Sequence, residues 1–120
     1  MDNENLNKIV ERRINKVKAL LSQKGNEYAT EEDKLHNFKV VADINKVTPK
    51  QALWGMASKH LYSVMKIVSE KHTSLSMADE KIGDLINYLI LLEAIVHSDH
   101  EKTWEFSKAC ISNGACTHDR

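Results

Sequence analysis

Proline occurs once and glycine four times in 120 residues, so neither a low-complexity linker nor a glycine-rich phosphate loop can be drawn on this chain. A single helical domain over residues 1–120 is expected, with its core in 4–112 and a loose tail at 113–120. Cysteine appears only as Cys110 and Cys116, which excludes a disulfide framework. Seventeen basic and seventeen acidic residues cancel to zero formal charge, so no global field draws in duplex nucleic acid or an anionic membrane. Any anion must be held by local geometry. Long apolar runs are missing too: the longest, Leu85 to Val96, is interrupted by Asn87 and Glu93 and is too short to span a bilayer. Met1 leads into Asp-Asn-Glu-Asn rather than a basic and then apolar stretch, so no secretory signal is expected and a cytoplasmic location is. No alternating strand pattern and no internal repeat occur.

What is present is helical periodicity. From Glu4 to about Lys24, Leu6, Ile9, Val10, Ile14, Val17, Leu20 and Leu21 recur at three- and four-residue steps between Lys and Arg, an amphipathic surface helix. Gly25-Asn26 ends it, and Glu27 to Asp33 reads as a loop before a short helix over Leu35 to Asn45. Thr48-Pro49-Lys50-Gln51 combines an N-cap, proline at the first helical position and the glutamine of a capping box, so a long helix should start there and run to about Lys71. His72-Thr73-Ser74 breaks the pattern, and Ser76 is the expected N-cap of the next helix, an antiparallel neighbour of the last. After His97, Asp99 can cap a final helix carrying Trp104 and Phe106, stopped by Asn113-Gly114. The expected class is all-α, a bundle of four to five helices.

Asp79 to Val96, DEKIGDLINYLILLEAIV, organises the rest. At about 100° per residue, Glu80, Asp84 and Asn87 share one face while leucines, isoleucines and Val96 cover most of the remainder. Such a helix should be mostly buried. A buried carboxylate costs several kcal/mol unless it meets a cation, a metal or hydrogen-bond donors, so the stripe needs an answer. On the preceding helix Met56, Lys59, His60 and Ser63 form one patch, and if it faces the stripe a polar pocket results. The plain structural alternative has Lys59 reaching water by its stem, His60 as a satisfied core-edge histidine, and Lys59 and Lys81 neutralising Asp84 and Glu80.

Two further groups carry weaker signals. Lys24-Gly-Asn-Glu-Tyr28 and Asp33-Lys-Leu-His-Asn-Phe38 are dense in Lys, Tyr, His and Asn, suited to a lid in which Tyr28 or Phe38 stacks on a base and Asn37 reads an edge; equally, they suit a solvated connector with Phe38 as a core anchor. His36 and Asn37 beside a buried Phe need partners. His97, His100, Cys110, Cys116 and His118 lack the paired short spacings of a structural zinc site.

The segments ALWGMASKHLYSVMKIV, Ala52 to Val68, and EKIGDLINYLILLEAIV, Glu80 to Val96, resemble the two core helices of MazG-like all-α nucleoside triphosphate pyrophosphatases. KGNEYATEEDKLHNFK, Lys24 to Lys39, is similar to small phage-encoded proteins of that group, including the nucleotide-modification-associated type. The similarity covers roughly residues 24–97. It implies a MazG-like fold, a homo-dimer or tetramer, the cytoplasm of a phage host, and Mg²⁺ held by four carboxylates against the phosphates. This chain departs from that pattern. Met56 and Lys59 stand where the family has two glutamates, and Lys81 stands at the third, so three of the four carboxylates are absent and Asp84 remains. Glu80, one residue from Lys81, points about 100° away from it.

The resemblance implies a nucleotide (dNTP, NTP or signalling nucleotide) as ligand and, if the chain is an enzyme, release of pyrophosphate. The residues that would carry this are Asp84 and Glu80 on Mg²⁺, His60 or His36 orienting water, Lys59 on phosphate, and Asn87, His36, Asn37, Lys24 and Tyr28 around the nucleotide. Loop acids Glu27, Glu31, Glu32 or Asp33 could complete a metal site, since Mg²⁺ often takes only one or two carboxylates beside phosphates and water. The competing class is a non-catalytic binder: a nucleotide sponge, or an inhibitor of a host protein on the same scaffold.

Overall fold

A computed structural model describes residues 1–23 and 35–100. Among them are four α-helices and no strand: α1 (Asn3–Val17), α2 (His36–Asn45), α3 (Pro49–Ser69) and α4 (Leu75–Asp99). The all-α class expected from periodicity is therefore what forms. Expectations for 24–34, including Lys24, Tyr28 and the loop acids, and for the final helix, Cys110, Cys116 and His118 fall outside the described residues.

Each start is chemical. Asp2 caps α1, its Oδ1 accepting from the Asn5 N–H at 2.9 Å. Beyond Val17 the helix continues to Gln23, but Lys18–Gln23 is wound as π-helix. At α3 the capping box is complete: the Gln51 N–H donates to Thr48 Oγ1 at 3.2 Å, and the Thr48 N–H donates to Gln51 Oε1 at 3.0 Å. That helix ends at Ser69, two residues before the expected Lys71. The cap of α4 is Ser74, not Ser76, with its hydroxyl accepting from the Met77 N–H at 3.1 Å. Leu75, Ser76, Met77 and Ala78 contain no helix breaker, so the first serine with extended backbone sets the start.

α3 and α4 run antiparallel over a short connection. Lys50 near the start of α3 pairs with Asp99 at the end of α4, while His60 meets Asp84 midway. Their shared seam makes the core: Leu53, Ala57, Ile95 and Phe38 of α2 are buried, with Met56, Tyr88, Leu91 and Leu92 packed on them. Ala57 is sealed, and its single methyl lets α3 lie close to its neighbours. α2 rests on α3, and Lys46 closes it in the left-handed region at φ 56°.

Burial departs from expectation. Only Gly83 and Ile95 of α4 are buried, and no residue of α1 is. Leu75, Ile82, Leu89, Ile90 and Val96 stand open to solvent in the single chain. Periodicity reported an apolar helix correctly, but α3 covers only one of its sides. No helix among the described residues is long and apolar enough to cross a membrane.

Candidate functional site

Helical geometry sorts α4 into two faces. Asp84, Tyr88, Leu91 and Ile95 lie on the side that meets α3, and Leu75, Asp79, Ile82, Ile86, Leu89, Glu93 and Val96 lie on the other. The inner face carries the candidate site.

There His60 Nδ1 stands 3.5 Å from Asp84 Oδ2, both side chains partly open to solvent. The imidazole stacks on the Tyr88 ring, with centroids 4.8 Å apart and planes 27° from parallel. Phe38 meets the same tyrosine edge-on at 6.4 Å and 73°, which ties the site to the buried core. The ring beneath holds the imidazole plane, and the carboxylate stands beside Nδ1 at ion-pair distance. The other nitrogen, Nε2, is left for a ligand or a water. One more polar group is unusual: Asn87 Oδ1 is buried and has no hydrogen-bond partner. An orphaned buried carbonyl oxygen costs about 1–3 kcal/mol, so it marks a place where a donor belongs.

The expected residues divide. His60 and Asp84 come together, and Asn87 lies one helical turn beyond Asp84. Lys59 does not join them: it is exposed, and no described acid pairs with it. Ser63 donates its hydroxyl to the Lys59 carbonyl at 3.1 Å, inside its own helix. Glu80 is exposed and pairs with its neighbour Lys81 at 3.8 Å. The plain alternative thus holds for Glu80, whereas Asp84 takes a histidine in place of lysine. His36 and Asn37 are exposed on the first turn of α2, beside the buried Phe38. Phe38 itself is the core anchor that the connector alternative assigned it.

Sequence reasoning missed Tyr88. Its signal was available: Glu80, Asp84 and Tyr88 follow at four-residue steps, and an aromatic four residues after a carboxylate shares its face. Asp79 was missed as well. Arg13 Nη2 donates to its Oδ1 at 2.5 Å and to its carbonyl at 3.2 Å, Arg12 stands 3.3 Å from Oδ2, and Lys16 also donates to Oδ2. These contacts hold Asp79 below the usual carboxylate range, led by the Lys16 hydrogen bond, with burial opposing. Arg13 also lies over Gly83, where an added Cβ would come within 2.3 Å of its guanidinium.

The resemblance implies Mg²⁺, and the donor set can be tested for it. Among the described residues no three His, Cys, Asp or Glu side chains converge on a point that could hold an ion. Asp84 is engaged by His60 and Glu80 by Lys81. The described residues do not fit a resident, preassembled Mg²⁺ centre. What the arrangement offers is an oriented imidazole, an aromatic floor, an orphaned acceptor and a nearby free lysine. Comparison with protein-family models, with curated proteins and with solved structures finds no match for this chain.

Proposed function

We propose that this chain binds a nucleotide on the α3–α4 face around His60, Asp84 and Asn87. The observation that carries the reading is the His60–Asp84 pair, its imidazole stacked on Tyr88, with the unpartnered Asn87 Oδ1 one helical turn beyond Asp84. Asn87 Oδ1 is sealed in the free chain, so its amide must turn outward to accept from an amino or hydroxyl group of the ligand, completing a hydrogen bond that the protein leaves open. Lys59 contacts phosphate oxygens as a point charge, and His60 Nε2 faces the ligand. The MazG-like resemblance of Ala52–Val68 and Glu80–Val96 supports the nucleotide class. It also supports self-association, as do the open apolar sides of α1 and α4.

Hydrolysis is the second reading, favoured by the carboxylate behind His60. With Asp84 on Nδ1, Nε2 can take a proton from water as it attacks a phosphorus atom, and pyrophosphate leaves. Among the described residues no Mg²⁺ site is assembled, and in this reading the step runs through the histidine.

Heat denaturation with a panel of dNTPs, NTPs and signalling nucleotides, paired with pyrophosphate detection with and without Mg²⁺, tests both readings. A ligand at 100 times its Kd adds about 2.7 kcal/mol of stability. Stabilisation by at least one nucleotide is expected, reduced at least tenfold in affinity by Asp84→Asn and by His60→Ala. Turnover that disappears in both variants supports hydrolysis. No stabilisation and no turnover with any nucleotide contradicts the proposal and leaves a protein partner as the alternative.

A further inference from the structure

The outward face of α4 repeats every seven residues. Leu75, Ile82, Leu89 and Val96 alternate with Asp79, Ile86 and Glu93 at three- and four-residue steps, the spacing of a helix–helix seam. The four apolar positions are exposed, from 37% at Ile82 to 90% at Leu75. α1 flanks only the N-terminal half of this seam. Between the two helices lies an apolar groove of about 800 Å³, floored by Leu75, Ile82 and Ile86 and walled by Ile9, Val10 and Ile14. At its edge Arg12, Arg13 and Lys16 gather round one acid, Asp79, leaving two positive charges in excess. Farther along the same seam Glu93 is exposed and has no cation among the described residues.

We propose that the occupant of this groove is the C-terminal half of α4 from a second copy of the chain, in an antiparallel dimer with its two-fold axis at Ile86. Such a dimer deepens the self-association named above and rests on it, not on nucleotide binding.

The register follows from the spacing. In an antiparallel pair about Ile86, residues equally far before and after it come opposite one another. Ile82 then meets the partner's Ile90, four residues either side. Asp79 meets the partner's Glu93, seven residues either side. Glu93 therefore enters the Arg12–Arg13–Lys16 cluster of the other copy, so that three cations serve two carboxylates at each end. Both the unpaired acid and the excess cations are answered by the same symmetry operation. A foreign partner would have to match an apolar groove, an excess of positive charge and an exposed glutamate separately, while a second copy supplies all three.

From Leu75 to Val96 the seam is about 30 Å long and about 10 Å wide, doubled in width where α1 lies along its N-terminal half, a footprint of order 450 Å². That is roughly half of the ~800 Å² of accessible surface per partner in a standard interface, the size of a concentration-dependent dimer. The chain has zero formal charge, so two copies do not repel globally.

Sedimentation equilibrium across a concentration series tests the interface. A dimer is expected, weakened at least tenfold by Glu93→Lys and by Arg12→Glu separately and restored when both are combined in one chain. Circular dichroism checks that each variant keeps its helix content. Independently, Ile86→Cys in a Cys110→Ser, Cys116→Ser background should cross-link to itself with a short bismaleimide, because the residue lies on the axis. A monomer at all concentrations overturns the proposal, whatever else then fills the groove. A dimer indifferent to both charge reversals and silent in cross-linking at position 86 overturns it too. Nucleotide stabilisation of the Glu93→Lys variant, measured in parallel, reports separately on the site.

Discussion

Asp79 collects three cations from α1 and none of its own helix's charges. Its carboxyl is held low, first by the Lys16 hydrogen bond and then by Arg12 and Arg13. A carboxyl lowered in the folded state contributes stability that is fully present above its unfolded value of about 3.9 and lost as pH falls through its folded value. The stability difference between the native chain and Asp79→Asn should therefore be constant near neutrality and shrink to nothing in acid, measured by urea denaturation at stepped pH. Gly83 makes a second residue-scale case. Gly→Ala inside a helix gains about 1 kcal/mol, but here the new Cβ collides with the Arg13 guanidinium at 2.3 Å. Gly83→Ala should be close to neutral in the native chain and stabilising by about 1 kcal/mol in an Arg13→Ala background. A double-mutant cycle measures that coupling. His60 and Asp84 were both legible as candidates for facing side chains because their types and helical positions are written in the sequence. Their pairing was not, since Lys59 sits one residue from His60 and only backbone rotation about α3 decides which of them reaches the carboxylate. Tyr88 was hidden by its chemistry, as an aromatic in an apolar helix is counted with the core.

Among the elements, α3 was the most legible because Thr48, Pro49 and Gln51 act locally, without help from the rest of the fold. The start of α4 was less so: Ser74 and Ser76 are equivalent as side chains, and extended backbone at Ser74 separates them. Burial of α4 was misread for a physical reason. Hydrophobic periodicity reports which residues need covering and not whether the same chain supplies the cover. The end of α2 gives a test at this scale. Lys46 takes the left-handed conformation that closes the helix, with the Val47 N–H bonded to the Ala42 carbonyl at 3.0 Å. A side chain pays for that backbone angle, so Lys46→Gly should stabilise the fold by about 0.5–1 kcal/mol in thermal or urea denaturation. A loss of stability would show that the lysine makes a contribution beyond its backbone.

At the scale of the molecule, the described residues bury six apolar side chains and leave nineteen large hydrophobic ones open. The open ones are spread over all four helices, and six of them, Leu75, Met77, Ile82, Leu89, Ile90 and Val96, belong to α4. The helix has two faces: one holds Asp84 and Tyr88 against His60, and the other exposes the apolar positions Leu75, Ile82, Leu89 and Val96. Gly83 and Asp84 are adjacent, so the Arg13 contact and the His60 contact are fixed on the same turn. The central claim is that the inner face takes a nucleotide. Its most direct test is a nuclear magnetic resonance titration of isotope-labelled protein with the nucleotide panel, following the Asn87 side-chain amide and the His60 ring. The account predicts that both resonances move together and saturate with one affinity, and that Asp84→Asn weakens it at least tenfold. Saturable shifts confined to α1 and the outer face of α4, or no shifts with any nucleotide, would contradict it.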